Sequence, residues 1–284
     1  MIIIGEIGIN HNGSLDTAKH LIQMAKHAGC DLVKFQKRTT DIVYTPEFLA
    51  SPRESRWGHT QGDQKRGLEF TEWDYGEINR YCEEVGIGWF ASAWDIPSLE
   101  FLDKYDLKYN KVASAMLTNI PFLEQVAERG KHTFIATGMS TIADIDRAFK
   151  MFWGKCPITF MHCVSTYPCQ YGDCNLNMIE TLRRSYYGNC GVGYSNHSPS
   201  ILPCVVAAAI GATTLEIHIT LSRAMEGSDQ ASSMEENAIR TVIDQCRSIE
   251  TILGDGHKVI LPDEEKNAKK LRYWDMMIKK DREK

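Results

Sequence analysis

The chain has 284 residues, 43% of them hydrophobic, with 21 glycines, 9 prolines and a formal net charge of −5. That length suits two average domains or one large α/β barrel, and the apolar fraction is enough for a sizeable core. The negative balance excludes a basic field built for nucleic acid or for acidic membranes.

The opening MIIIGEIGIN has no charged leader and is too short and glycine-broken to cross a membrane. Nine cysteines, an odd number, therefore read as free thiols in a reducing cytoplasm. Cys163, Cys169 and Cys174 cluster, but spacings of six and five match no usual zinc pattern.

Short apolar, β-branched runs alternate with helical patterns to about residue 253. The first strand is IIIGEIGI (2–9), followed by a helix whose Leu15, Ala18, Leu21, Ile22 and Ala25 share one face and which Gly29 stops. DLVKFQK (31–37) is the second strand. Residues 38–70 then form a connection far longer than usual, placed to overlie a site or to run as a surface loop. A helix capped by Thr71 and closed by Gly86 leads to IGWFASAW (87–94). Four more strands follow: LKYNKVAS (107–114), HTFIATGM (132–139), ITFMHCVS (158–165) and CGVGYSNH (190–197). SPSILPCVVAAAIGA is apolar almost throughout and predicts a helix packed hard on the sheet, before the last strand, TTLEIHIT (213–220).

Eight β-α units without a break in composition predict an α/β fold, a single (β/α)8 TIM barrel over residues 1–255. An open doubly wound sheet is the alternative. Residues 256–284 form a short C-terminal extension, and the mixed charges from Lys266 to Lys284 read as a solvated helix face. Polar residues recur at the C-terminal ends of the strands, the rim where barrels place their chemistry. They include Lys34, Gln36, Ser92, Lys111, Ser114, Thr137, Ser165, Ser195, His197 and His218.

Strands seven and eight are neighbours in such a barrel, so His197 and His218 can meet and bind a divalent ion with open positions. Rim hydrogen bonding alone also accounts for each ring. Glu6 lies inside a strand, where burial demands a cation or a donor. Glu216 shares a face with His218 and is placed to act as a base or as a partner of a ligand. Lys34 and Lys111 facing one lumen call for an anion, with Ser114, Thr137 and the Gly138 amide as further donors. Lysines reaching to solvent are the bland alternative.

GEIGINHNGSLDTAKHLIQMAKHAGCDLVKFQ, followed in order by KVASAML, ATGMST, HCVSTYP, GYSNHS, EIHIT and GDGHK, resembles the sialic acid synthase family across residues 2–270. The resemblance implies condensation of phosphoenolpyruvate with the open-chain aldehyde of an N-acylated mannosamine-type sugar. It implies His197 and His218 as ligands of Mn²⁺, with Mg²⁺ or Co²⁺ as alternatives. Lys34, Lys111, Ser114, Thr137 and Ser195 would line the phosphoenolpyruvate site. Gln36, Tyr167 and Asp229 would touch the sugar, and Glu6 and Glu216 would flank the reacting carbons. A cytoplasmic homodimer with no nucleic-acid or membrane partner is also implied.

The chain departs from the family pattern in places. Asn196 stands where relatives often carry Asp, Ala136 where they carry Ser, and Glu226-Gly227-Ser228 precede Asp229 in place of Pro-Gly-Pro. The sequence ends at Lys284, before the small antifreeze-like domain through which many relatives lend an arginine to the sugar. Arg53, Arg56, His59 and Arg66 of the long connection are candidate substitutes. Two other readings remain open on the same barrel: a Schiff-base aldolase using Lys34 or Lys111, and a non-catalytic sugar- or phosphate-binding relative.

Overall fold

A computed structural model describes residues 1–272 and Trp274. In chain order its strands are β1 (Ile2–Gly8), β2 (Leu32–Lys37), β3 (Pro52–Ser55), β4 (Gly58–Thr60), β5 (Gly88–Ala93) and β6 (Tyr109–Val112). β7 (His132–Ala136), β8 (Ile158–His162), β9 (Gly191–Asn196) and β10 (Thr214–His218) complete them. Eight of the ten close a parallel barrel in the order β1-β10-β9-β8-β7-β6-β5-β2, and β1 pairs back onto β2. All eight strands expected from sequence are present, and closure excludes the open sheet.

The helices begin and end where local chemistry dictates. Ser14 caps the helix Leu15–Ala28, and Gly29 ends it at φ 98°, a left-handed conformation that a side chain would resist. Thr71 and Asp74 form a reciprocal capping box on Glu72–Val85, which Gly86 closes at φ 72°. The apolar helix Leu202–Ala209 buries Pro203, Cys204, Ala207 and Ala208, while Leu202 and Val206 stay partly exposed. It packs by one face, not all round.

The long connection after β2 is built, not loose. It holds two short helices (Thr40–Val43 and Pro46–Ala50), the antiparallel hairpin β3–β4 and the helix Gln61–Leu68, itself started by a Thr60–Asp63 capping box. Its turns are short and polar, which hid them from a search for hydrophobic periodicity.

Residues of one parity on each strand face the barrel axis. Low in the barrel these are apolar: Ile4, Phe90, Phe134 and Met161 form a fully buried cluster. Each such side chain contributes about 1.5–3 kcal/mol of burial. One step further along the same strands the inward residues become Glu6, Ser92 and Cys163, so an apolar floor supports a polar mouth.

The chain divides into two compact units, Met1–Ser248, which contains the barrel, and Ile249–Lys284. The second unit includes the helix Pro262–Leu271, whose residues are all at least partly exposed and which runs from acidic Asp263, Glu264 and Glu265 to basic Lys269 and Lys270. The expected charged face is visible there, and its continuation past Trp274 lies outside the described residues. No helix among the described residues is long and apolar enough to cross a membrane.

Candidate active site

Strand register assembles the site. Glu6 on β1 is level with Lys34 on β2 and with His218 on β10, Glu216 is level with Ser195 on β9, and Ser92 with Lys111. These side chains line one cleft of about 680 Å³ at the C-terminal mouth, counting the space at its opening. Gln36, Ser114, Ser165, Tyr167 and His197 line it too.

The charges are interlocked. Lys34 Nζ lies 2.8 Å from Glu6 Oε2 and 3.5 Å from Glu216 Oε1, and it donates to Ser92 Oγ at 3.1 Å. Lys111 Nζ is 3.7 Å from Glu216 Oε2. Gln36 Nε2 donates to Glu6 Oε1 at 2.7 Å, and Ser195 Oγ donates to Glu216 Oε1 at 3.1 Å. The two lysines expected to await an anion are therefore held meanwhile by carboxylates, and two cations balance two anions in a buried site.

Proton affinities follow from that arrangement. Burial would weaken the hold of Lys34 on its proton, but Glu216 and Glu6 outweigh it and raise its pKa. For Lys111 burial wins, aided by Lys34 and opposed by Glu216, so its pKa is lowered. Burial would raise Glu216, yet Lys111, Lys34, His218 and His197 hold its carboxyl below the ordinary range. Burial, then the neighbouring His218, pushes His197 down to about 3, so its ring is neutral at physiological pH.

The two imidazoles do meet, with ring centroids 5.3 Å apart. His197 Nδ1 donates to the Val164 carbonyl at 2.6 Å, which leaves Nε2 unprotonated, 3.1 Å from the Tyr167 hydroxyl. Tyr167 also stacks on His197 at 4.3 Å. His218 Nδ1 is buried without a hydrogen-bond partner. No group of three or more His, Cys, Asp or Glu suited to a metal occurs among the described residues. The pair fits a two-imidazole donor set whose other positions belong to water or substrate.

Gly138 brings backbone close to this wall. A Cβ there would stand 2.2 Å from Ser165 Oγ and 2.8 Å from Ser114 Oγ, so the position admits only glycine without a shift. Two expected residues stand off the cleft. Thr137 is buried and turns its hydroxyl to the Met161 carbonyl at 3.3 Å, and half-buried Asp229 accepts from Ser228 near the top of the barrel. Trp94, Met139, Ala113 and Ala115 line the cleft and were not singled out from sequence, and Cys163, weighed there only for zinc, lines it too. Strand parity flags Trp94 and Cys163, since they continue the inward series from Ser92 and Met161. Of the candidate arginines, Arg56 pairs with Glu226 at 3.9 Å and Arg66 with Asp41, while His59 pairs with Glu54 at 2.8 Å.

A parallel barrel with buried lysines and carboxylates beside a pair of imidazoles belongs among the barrel enzymes that handle small anions. Comparison with known proteins narrows that class. The profile described as the NeuB family matches residues 21–258. The human N-acetylneuraminate-9-phosphate synthase is 38% identical over 265 residues, covering 92% of this chain and 74% of that protein. The N,N'-diacetyllegionaminic acid synthase of Campylobacter jejuni is 30% identical over 287 residues, 99% of this chain and 85% of its own. A crystal structure of N-acetylneuraminic acid synthetase from Leptospira borgpetersenii, in complex with citrate, superposes with a TM-score of 0.81 at 29% identity, covering 96% of this chain and 92% of that one. The chain belongs to the NeuB family, the sialic acid synthases.

Proposed function

We propose that this chain condenses phosphoenolpyruvate with the open-chain form of an N-acyl-mannosamine-type aldose, giving a nonulosonic 2-keto-3-deoxy acid and inorganic phosphate. The observation that carries the reading is Glu216 held between Lys34 and Lys111 beside the paired imidazoles of His197 and His218 in one cleft. Phosphoenolpyruvate carries a phosphate and a carboxylate, the groups for which two buried ammonium ions are suited. Ser92, Ser114, Ser165 and Ser195 supply neutral donors around them, with Thr137 behind the wall.

Binding such an anion changes the resting arrangement. Lys34 and Lys111 turn part of their field to the substrate, and Glu216, no longer neutralised by both, gains proton affinity. C3 of phosphoenolpyruvate attacks the aldehyde carbon, whose oxygen becomes an alkoxide. Water adds at C2, and one of its protons passes by way of Glu216 to that alkoxide; the C2–O bond to phosphate then breaks, C2 becomes a carbonyl and the second proton leaves with the phosphate. Glu6, fixed by Gln36 and Lys34, orients the lysine. Tyr167 and Gln36 face the sugar in this reading, and Asp229, off the cleft wall, would meet only the part of it that extends beyond the cleft.

His197 and His218 would hold a divalent cation, Mn²⁺ with Mg²⁺ or Co²⁺ as alternatives, which when bound supplies Lewis acidity toward the aldehyde. His197 suits that task because the Val164 carbonyl fixes its tautomer. We carry over a cytoplasmic homodimer as part of the same reading, which sedimentation and cell fractionation test. The relatives' names divide between a phosphorylated product and unphosphorylated ones, so the far end of the acceptor is the variable that sequence similarity leaves open.

Phosphate release from phosphoenolpyruvate, measured with Mn²⁺ against a panel of 2-acetamido aldoses, tests the reading; no release with any of them contradicts it. A Schiff-base mechanism has one observation in its favour, the lowered pKa of Lys111. Borohydride trapping of substrate on Lys111 would establish it instead. A non-catalytic relative would bind phosphoenolpyruvate and release nothing.

A further inference from the structure

Arg38 is 7% exposed, yet its guanidinium makes no hydrogen bond among the described residues. It continues the inward parity of Lys34 and Gln36 past the end of β2, and its Cζ sits 4.6 Å from the ring centroid of Trp94, a wall residue of the cleft. Its nearest carboxylate, Glu69, is 3.8 Å away and is shared with Lys37 Nζ at 3.3 Å. A buried guanidinium presents five donors, and leaving them unmet is costly unless an anion arrives to take them.

A second cation of the same connection feels its charge. Lys65, on the helix Gln61–Leu68, has no ion pair among the described residues and rests over the Tyr44 ring at 5.7 Å. Burial, then the charges of Arg38 and Arg53, weakens its hold on a proton, and Asp229 opposes them. Tyr44 lies within the fields of Arg38, Glu69 and Asp229. Of the other arginines of this segment, Arg56 is matched by Glu226 and Arg66 by Asp41, while Arg53 has no ion pair among the described residues. Arg38 and Lys65 are thus under-neutralised beside Glu69 and Asp229, the two carboxylates that face them.

We propose that Arg38 and Lys65, with the Tyr44 hydroxyl, form a second anion subsite that takes a phosphate ester at the end of the aldose remote from its aldehyde. The inference rests on the reading above for the aldehyde end. Four residue steps separate Lys34 from Arg38, just past the end of β2, roughly 13 Å along the strand direction and less along the barrel axis, from which the strands tilt. An extended six-carbon chain with its aldehyde at the level of Glu6 and His218 carries its phosphate over most of that span, and the reach of the guanidinium covers the rest. The phosphoenolpyruvate anions are already assigned to Lys34 and Lys111, deeper in the cleft.

The test separates binding from turnover. Calorimetry compares the alditol of an N-acyl-mannosamine with its 6-phosphate; neither has an aldehyde, so neither reacts. The proposal expects at least tenfold tighter binding of the phosphate ester. Lys65→Met and Arg38→Met should each reduce that preference several-fold, and Lys65→Met, at a half-buried position, keeps the test valid where Arg38→Met does not fold. Equal affinity for both alditols, or variants that weaken both equally, overturns the subsite. A 6-carboxylate analogue binding as tightly as the phosphate ester overturns the assignment to phosphate. Absence of turnover with tight phosphate-ester binding would contradict the condensation reading alone.

Discussion

His197 Nδ1 donates to the carbonyl oxygen of Val164 at 2.6 Å. A carbonyl only accepts, so this contact fixes the proton on Nδ1 and keeps the Nε2 lone pair toward Tyr167 and the cleft. His218 closes the pair from the adjacent strand, and its buried Nδ1 lacks any partner. The metal prediction follows. The protein should bind Mn²⁺ in calorimetry without substrate, and His197→Ala or His218→Ala should lose that binding while keeping the native circular dichroism spectrum. Chelation should stop phosphate release and added Mn²⁺ restore it. Undiminished Mn²⁺ binding in both variants would contradict the assignment.

Glu216 is predicted to act on the reacting centre and not merely to hold the lysines. Glu216→Gln removes the charge but keeps the hydrogen bond from Ser195. Its kcat should fall by about 10²–10⁴-fold, the usual range for losing a general base. Phosphoenolpyruvate affinity should hold or rise, because Lys34 and Lys111 lose a competing anion. Unchanged kcat would refute the role.

Gly138→Ala tests the anion wall by steric means. The added methyl would meet Ser165 Oγ at 2.2 Å and Ser114 Oγ at 2.8 Å, so one hydroxyl must move. Displacements near 1 Å cost about 10²-fold in positioned reactions. We expect kcat/KM for phosphoenolpyruvate to drop by about one to two orders of magnitude with little change in Tm. Normal kinetics would place the phosphoenolpyruvate elsewhere.

Acid should destabilise the metal-free protein, beginning near pH 6.5. His11, stacked on Phe70 at 4.0 Å, is pushed to about 3 by burial and then by Arg38, and His197 is likewise lowered to about 3. Both rings exclude a proton that the unfolded chain binds below pH 6.5. They carry no penalty above that pH, and stability falls as pH drops toward 3. The slope is about 1.4 kcal/mol per pH unit for each ring. Below about pH 4.3 the lowered pKa of Glu216 adds in the same direction. Denaturant midpoints between about pH 6 and 4.5 should show this slope, and His11→Gln should shrink it by one ring's share. A flat profile in wild-type protein would contradict the buried neutral state.

Much of the fold was written in the sequence because parallel strands buried on both faces read as apolar runs, as in ITFMHCVS (158–165). Residues such as Lys34, Glu6 and Glu216 stood out because an apolar strand has no packing reason to carry them. Register was not legible: nothing in the chain announced that Glu6 would neutralise Lys34, since that depends on the shear of the closed barrel. The roles of Tyr167 and Asp229 came from family resemblance alone; the structure sets Tyr167 on His197 and leaves Asp229 outside the cleft wall. Arg38 was missed because its significance lies in the partners it lacks, which no sequence displays.

The account turns on carbon–oxygen bond breaking at C2 of phosphoenolpyruvate after its C3 has joined the aldehyde. Running the reaction in ¹⁸O-labelled water and weighing the released phosphate tests this most directly. The account predicts phosphate with no label, all four of its oxygens having come from phosphoenolpyruvate. Phosphate carrying one ¹⁸O would show that water attacked phosphorus, and would contradict it.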